Sequence, residues 1–345
     1  MSEGAQISPE PWPVHLLGLV NPCIVIAGNM AGGIYTAAGL VFMLGLGPIL
    51  EILLGEAKPA PPPRESGRPF EVLLVVHAVI HFFVLGSLLW FAAGEGLTVW
   101  LLTASVSTGI SSGASATITA HELGHRPRGS FQFLLARALL WTTWRSDFTA
   151  THNTTHHGYV GTDRDPASEL HGRSLYRFVG RTIPAQVADA VRVHNRKGRT
   201  GLSNPVIRGI ALQLAVLAGL LAVPGGTLGF DGVPVAAAWL GQAAISTQLL
   251  ESVNYWRHYS LSRGEDEKIT PSIAWNSDYR MSRWCLLELS RHSDHHMRAS
   301  VPFWKLRPIE GAPSLPGGYF VCFWISAIPP LWHRMMRDRL PENSP

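Results

Sequence analysis

Long apolar runs alternate along this chain with stretches rich in positive charge. No Lys or Arg occurs in residues 1–57, 69–125 or 209–256, whereas three fall in 58–68, thirteen in 126–208 and twelve in 257–339. Each charge-free block is about twice the roughly 20 residues needed to cross a bilayer, so each predicts two spanning helices joined by a short turn. The expected spans are 14–34, 35–54, 73–93, 98–120, 207–223 and 235–250. The turns within the pairs, around 29–33, 94–96 and 225–234, carry no positive charge, while every other connection does. The positive-inside rule therefore places the basic connections in the cytoplasm. The expected fold is one all-α integral membrane domain over 1–345, with six transmembrane helices and cytoplasmic catalytic segments at 121–206 and 251–345. Its expected location is a bacterial-type cytoplasmic membrane with the catalytic face inward.

Composition changes this picture little. Hydrophobic residues make up 46% of the chain and charged ones 15%, and mean hydropathy is positive at +0.14, which argues against a large soluble protein. Three scattered cysteines, Cys23, Cys285 and Cys322, form no CxxC pair. They exclude a disulfide scaffold, a thiolate zinc module and a fused rubredoxin-like iron site. Electrons for any one-electron chemistry must then come from outside the chain. The net charge of +4 is explained by topology and anionic lipid, and no nucleic-acid recognition module accompanies it. The N-terminus lacks a basic stretch before its first apolar run, so a cleaved secretory signal is not expected. Disorder is expected only in the proline-rich stretch 58–64 and at the two ends.

Histidine placement is the strongest chemical signal. Nine of the fifteen histidines fall in four short clusters within or at the edges of the basic blocks. The first, His121-Glu-Leu-Gly-His125, follows the fourth span, and its i, i+4 spacing sets both imidazoles on one helix face. Alone it is also the HExxH pattern of zinc peptidases with Glu122 as general base. The second, His152-Asn-Thr-Thr-His156-His157, offers another i, i+4 pair, His152 with His156, and an adjacent His157 turned about 100° away on a helix. The third is Arg291-His292-Ser-Asp294-His295-His296, and His258 stands alone just past the sixth span. Nine imidazoles exceed the three protein ligands of a catalytic zinc, so two metals fit the count better. Imidazole suits iron, copper, nickel and zinc alike and does not name the metal. Glu122, Asp163, Asp165 and Asp294 are candidate acceptors for the second ring nitrogens of the ligands. His77 and His81 are expected to hydrogen-bond between helices. His15, His171, His194 and His333 read as ordinary surface or interfacial residues, and Gly109 and Gly113 as a site of close helix packing.

The four clusters, in this order and with these flanks, resemble the integral-membrane alkane monooxygenases, relatives of the membrane fatty-acid desaturases and the xylene side-chain monooxygenases. The resemblance is carried by His121 to Arg126, the HxxxHH block from His152 to His157, Asp165-Pro-Ala-Ser168, Asn254-Tyr255 with His258-Tyr259, and Arg291 to His296. It implies six transmembrane helices and a cytoplasm-facing centre of two non-haem iron ions held by the nine histidines. It also implies O2 as oxidant, electrons from rubredoxin or a ferredoxin-type carrier with its reductase, and a hydrophobic substrate entering from the bilayer. The implied reaction is hydroxylation of an unactivated C–H bond, with the terminal methyl of an alkane first among substrates. The chain departs from the usual pattern at Thr151, at Thr154-Thr155, at Arg257 in place of a glutamate, and at Ser260 in place of a glycine. Fatty-acyl desaturation or hydroxylation and aromatic side-chain oxidation share the same metal site. A membrane zinc protease would use only His121, Glu122 and His125, and a metal transporter would want more polar groups at bilayer depth.

Overall fold

The computed structural model describes residues 8–222 and 231–340. Four helical stretches are long and apolar enough to cross a bilayer: α1 (Trp12–Ala31), α2 (Gly33–Leu54), α3 (Arg68–Glu95) and a later one, Gly232–Arg257. They coincide with four of the six expected spans. The expected fourth span is also helical: α4 runs through Val99–Ser111, a π turn over Ser112–Thr117 and a last α turn, Ile118–Leu123. Its many serine, threonine and glycine residues lower its hydropathy. After α5 (Phe131–Thr142) comes α6, built from Phe148–Thr151, a π turn over His152–His156, and His157–Tyr159. Helix α7 is Leu175–Asn195, α8 is Pro205–Leu221, and Gly232–Arg257 is α9. Short helices α10 (Arg280–Cys285), α11 (His292–Met297), α12 (Tyr319–Ala327) and α13 (Pro329–Arg337) complete the chain. At 17 residues, α8 is the shorter partner of the third pair, and most of the turn expected at 225–234 lies outside the described residues.

Local chemistry explains the ends of these helices. Gly96 turns the chain at φ +77°, a conformation open to glycine, and the Thr98 hydroxyl then caps α4 by accepting from the Leu101 N–H. Ser130, Asn204 and Asp231 cap α5, α8 and α9 in the same way. Large apolar side chains such as Ile34, Leu53, Phe83 and Leu102 stay more than 60% exposed along the long helices. In water such a belt would be costly; facing lipid it is satisfied.

The element that positions the site is the α4–α9 pair. A Cβ on Gly109 would come within 2.5 Å of Ile245 Cβ, and one on Gly113 within 2.8 Å of Leu249. The two glycines therefore let the backbones close up, as the small-residue spacing predicts. Ser112 donates to Gln242 Oε1 at 3.0 Å, and Gln242 donates in turn to the Thr142 carbonyl at 2.8 Å, tying α5 to the pair. His77 and His81 on α3 bond Ser115 of α4 at 2.7 Å and Thr142 of α5 at 2.8 Å. Both are the interhelical contacts expected of them.

Two expectations fail. The proline-rich stretch 58–64 is not loose: Arg291 donates to the Pro61 carbonyl, the Arg64 N–H to the Trp304 carbonyl, and the Arg64 side chain to the Glu10 carbonyl. Proline removes a donor but leaves its carbonyl free, and that of Pro61 accepts from the distant Arg291, while Arg64 supplies the other two bonds as donor. His15 is not a surface residue either. It is fully buried and bonds Glu288 at 3.1 Å, 273 positions away in sequence. His194 is also buried, whereas His171 is exposed and His333 lies half-buried against Tyr259.

Candidate metal centre

All nine clustered histidines meet at the end of the α4–α9 pair, and they do so as two groups. His121, His125, His152, His157 and His295 form one; His156, His258, His292 and His296 form the other. Within each group one ring nitrogen per residue lies within 4.8 Å of all the rest. His152 and His157 approach through their Nε2 atoms at 3.1 Å, and His157 and His295 at 3.2 Å. In the second group His258 and His292 stand at 3.2 Å and His292 and His296 at 2.9 Å, again through Nε2. Metal–imidazole bonds of about 2.0–2.1 Å set neighbouring ligand nitrogens roughly 3.0–3.4 Å apart. Both groups have that spacing. The Nε2 atoms of His121, His125 and His156 are buried without a partner, which leaves their lone pairs free for a cation.

The way α6 divides its histidines differs from the expectation drawn from i, i+4 spacing. His152 joins His157, not His156, which goes to the other group. The cause is the π turn over His152–His156. Its i to i+5 bonding widens the helix so that residues five apart align, while the neighbours His156 and His157 face different ways as expected. Helix α11 keeps α-helical spacing: His292 and His296, four apart, share a group and His295 serves the other. Thus α6 and α11 each feed both groups, while α4 feeds the first and the end of α9 the second.

Burial sets the electrostatics. His152, His157, His292, His295 and His296 are held well below the usual histidine range by burial first, and then by neighbouring histidines or, for His292, by the Arg257 guanidinium. His258 is lowered in the same sense, and His125 is pushed down to about 4, again mainly by burial. A neutral imidazole keeps the lone pair that a metal ligand needs.

Of the four carboxylates expected beside the ligands, one touches a clustered histidine. Asp165 accepts from His156 Nδ1 at 2.8 Å and also from the Ser168 hydroxyl and the Ala167 N–H. Burial works against the Asp165 charge, but the facing His156 and these donors hold its carboxyl below the usual range. Asp294 instead binds Arg298 and the Arg307 N–H. Glu122 faces the Phe303 N–H and Arg126, and Asp163 is exposed beside His171. Spacing in sequence put these three near ligands; their side chains leave on other faces. Features missed in the sequence include Phe148, stacked on His152 at 4.7 Å, and a buried network in which Arg145 pairs with Asp147 and, at 2.5 Å, with Glu251.

A cavity runs between α2, α4, α9 and α12 and reaches His121 and Arg257. Its walls are otherwise almost wholly apolar, with Ile110, Leu249, Leu286 and Phe320 among them. The contribution of α12 was legible only as a short apolar run in a segment read as cytoplasmic.

The chain matches the family model described as fatty acid desaturase over residues 95–326. It is 31% identical to alkane 1-monooxygenase 1 of Alcanivorax borkumensis, covering 96% of this chain and 84% of that protein. It is 32% identical to alkane 1-monooxygenase 1 of Pseudomonas aeruginosa over 95% of this chain and 90% of the relative. The hydroxylase component of the Pseudomonas putida xylene/toluene monooxygenase is 32% identical over 65% of this chain and 60% of its own length. The chain therefore belongs to the fatty acid desaturase family and, within it, to the alkane 1-monooxygenases.

Proposed function

We propose that the protein is a membrane non-haem di-iron monooxygenase that hydroxylates the terminal methyl of an alkane, with O2 as co-substrate. The observation that carries this reading is the meeting of two all-histidine groups with an apolar cavity at His121. One iron would be held by His121, His125, His152, His157 and His295, and the other by His156, His258, His292 and His296. Bound there, iron supplies the dioxygen activation that imidazole lacks. The chain's own part is placement. Asp165 keeps the His156 ring turned so that its Nε2 faces the group, and the apolar walls draw an extended hydrocarbon from the bilayer and keep water from the reacting carbon. The names of the relatives agree with this chemistry.

Electrons reach the centre from rubredoxin or a ferredoxin-type carrier on the cytoplasmic side of a bacterial-type inner membrane. The exposed Arg192, Arg196, Lys197 and Arg199 give that side a charge suited to an acidic carrier, so added salt slows coupled turnover. Turnover insensitive to ionic strength below saturating carrier would exclude this docking.

The test is product identification by gas chromatography and mass spectrometry, in cells expressing the chain with rubredoxin and its reductase and fed octane, hexadecane and p-xylene. Terminal alcohols are expected from an alkane. Methylbenzyl alcohol alone would move the activity to the aromatic side-chain oxidation named for the Pseudomonas putida relative. Iron-loaded protein with no oxygenated product would reject hydrocarbon hydroxylation in favour of an acyl substrate.

A further inference from the structure

Arg257 is 2% exposed, and it sits between the cavity and the second histidine group. Its Nη1 lies 3.1 Å from His292 Nδ1. Its other nitrogens donate to neutral oxygens, Nε to the Val253 carbonyl at 3.2 Å and Nη2 to Asn254 Oδ1 at 2.8 Å. Among the described residues no carboxylate lies within ion-pair distance of it. The nearby Glu251 is already committed to Arg145, Gln186 and the amide of Asn254. A buried guanidinium without a carboxylate is expensive, and it stays charged because arginine does not deprotonate in proteins.

Its position against the ligands is also unlike that of the other partners. His156 presents its second nitrogen to a carboxylate and His258 to the Ile273 carbonyl, both electron-rich acceptors. His292 presents its second nitrogen to a cation. Acceptors at that nitrogen raise ligand basicity; a neutral His292 that ligates through Nε2 keeps its proton on Nδ1 and cannot accept from a guanidinium, so Arg257 acts there through its fixed positive potential alone.

We infer that Arg257 is a positioning residue that tunes the second metal site electrostatically, by the fixed charge it holds beside His292. Its charge makes the centre easier to reduce and strengthens the hold on a small anionic ligand at the metals. This rests on the reading of the nine histidines as iron ligands. No proton moves in the proposal, and each reduction step would draw one electron from the external carrier.

The experiment compares full-length wild-type protein with R257Q, R257M and R257K, purified in detergent and loaded with iron. It measures iron per chain, the midpoint potential, and the dissociation constant of azide for the oxidised protein. The neutral variants are expected to keep two irons, to bind azide at least tenfold more weakly, and to shift the reduction equilibrium at least tenfold, about 59 mV downward for one electron. R257K, which keeps the charge without the planar fork, is expected to stay near wild type in both. Fully loaded neutral variants with unchanged potential and azide affinity would overturn the inference, as would an R257K shift equal to that of R257Q. Loss of iron from both neutral variants would assign Arg257 to building the site and overturn the tuning role. Wild-type protein that takes up no iron would overturn the di-iron reading itself, a different result from any of these.

Discussion

At the scale of single residues, burial makes the nine histidines useful. Taking an imidazole out of water disfavours its charged form, so the clustered rings offer lone pairs at neutral pH. Replacing His125, His156 or His295 by Ala is expected to abolish oxygenation and lower bound iron, whereas His333→Ala does neither; iron analysis and product assay on the four variants check this. Asp165→Asn leaves every ligand in place but removes the anion behind His156. Its expected effect is a loss of roughly 10- to 100-fold in metal affinity or activity, measured by competition with a chelator. Unchanged affinity would demote Asp165 to a structural role. The residue scale also marks the limit of motif reading. Glu122, Asp163 and Asp294 lie as near to ligands in sequence as Asp165 does, yet their side chains find arginines, a backbone N–H or solvent instead.

At the scale of elements, the π turn of α6 assigns histidines to groups. An unbroken α-helix would stack His152 over His156 and leave His157 aside; the widened turn aligns His152 with His157 and frees His156 for the other group. Thr154 lies in this turn and is exposed, so deleting it removes the extra residue without emptying the core. The deletion is expected to restore α-helical register with His152 and His157 now four apart, the spacing an α-helix aligns, and so to keep two irons per chain, read by metal analysis beside the helical circular dichroism of the wild type. Loss of an iron from a deletion variant of wild-type helicity would show that the alignment of His152 with His157 across the turn is not what divides the histidines. A second π turn, over Ser112–Thr117, precedes His121 on α4.

At the scale of the whole molecule, buried ion pairs tie the N-terminal region to the segments that follow the last span. Glu288 binds Arg283 through both its oxygens, at 2.7 and 2.9 Å, and also meets His15 and Arg64. Burial opposes its charge, but Arg283, His15 and Arg291 outweigh that and hold the carboxyl well below the usual carboxylate range. Because the folded value is depressed, the contribution to stability is full above the unfolded value of about 4.3 and is lost as pH falls toward the folded one. The wild-type melting temperature should therefore drop as the pH is lowered below about 4.3. Glu288→Gln should flatten that part of the profile and cost about 3–5 kcal/mol at neutral pH, because Arg283 and Arg291 lose a buried partner. Thermal unfolding in detergent across pH checks both; equal acid slopes for the two proteins would mean that other carboxylates carry the effect.

The sequence by itself determined the helical membrane architecture and the nine chemical groups of the centre. A charge within a bilayer is expensive enough to write topology directly into the positions of Lys and Arg, and a metal needs particular side chains whatever fold brings them together. Close packing at Gly109 and Gly113 and the interhelical bonds of His77 and His81 were legible for the same reason, because few alternatives exist inside a membrane. Tertiary structure alone decided which histidines share a group, which carboxylate stands behind a clustered histidine, that His15 and the stretch 58–64 are tied to the far end of the chain, and that Arg257 faces His292. These depend on the register of a π turn and on contacts between residues as much as 273 positions apart. Such contacts are set by how whole helices pack, and periodicity along a single segment does not record them.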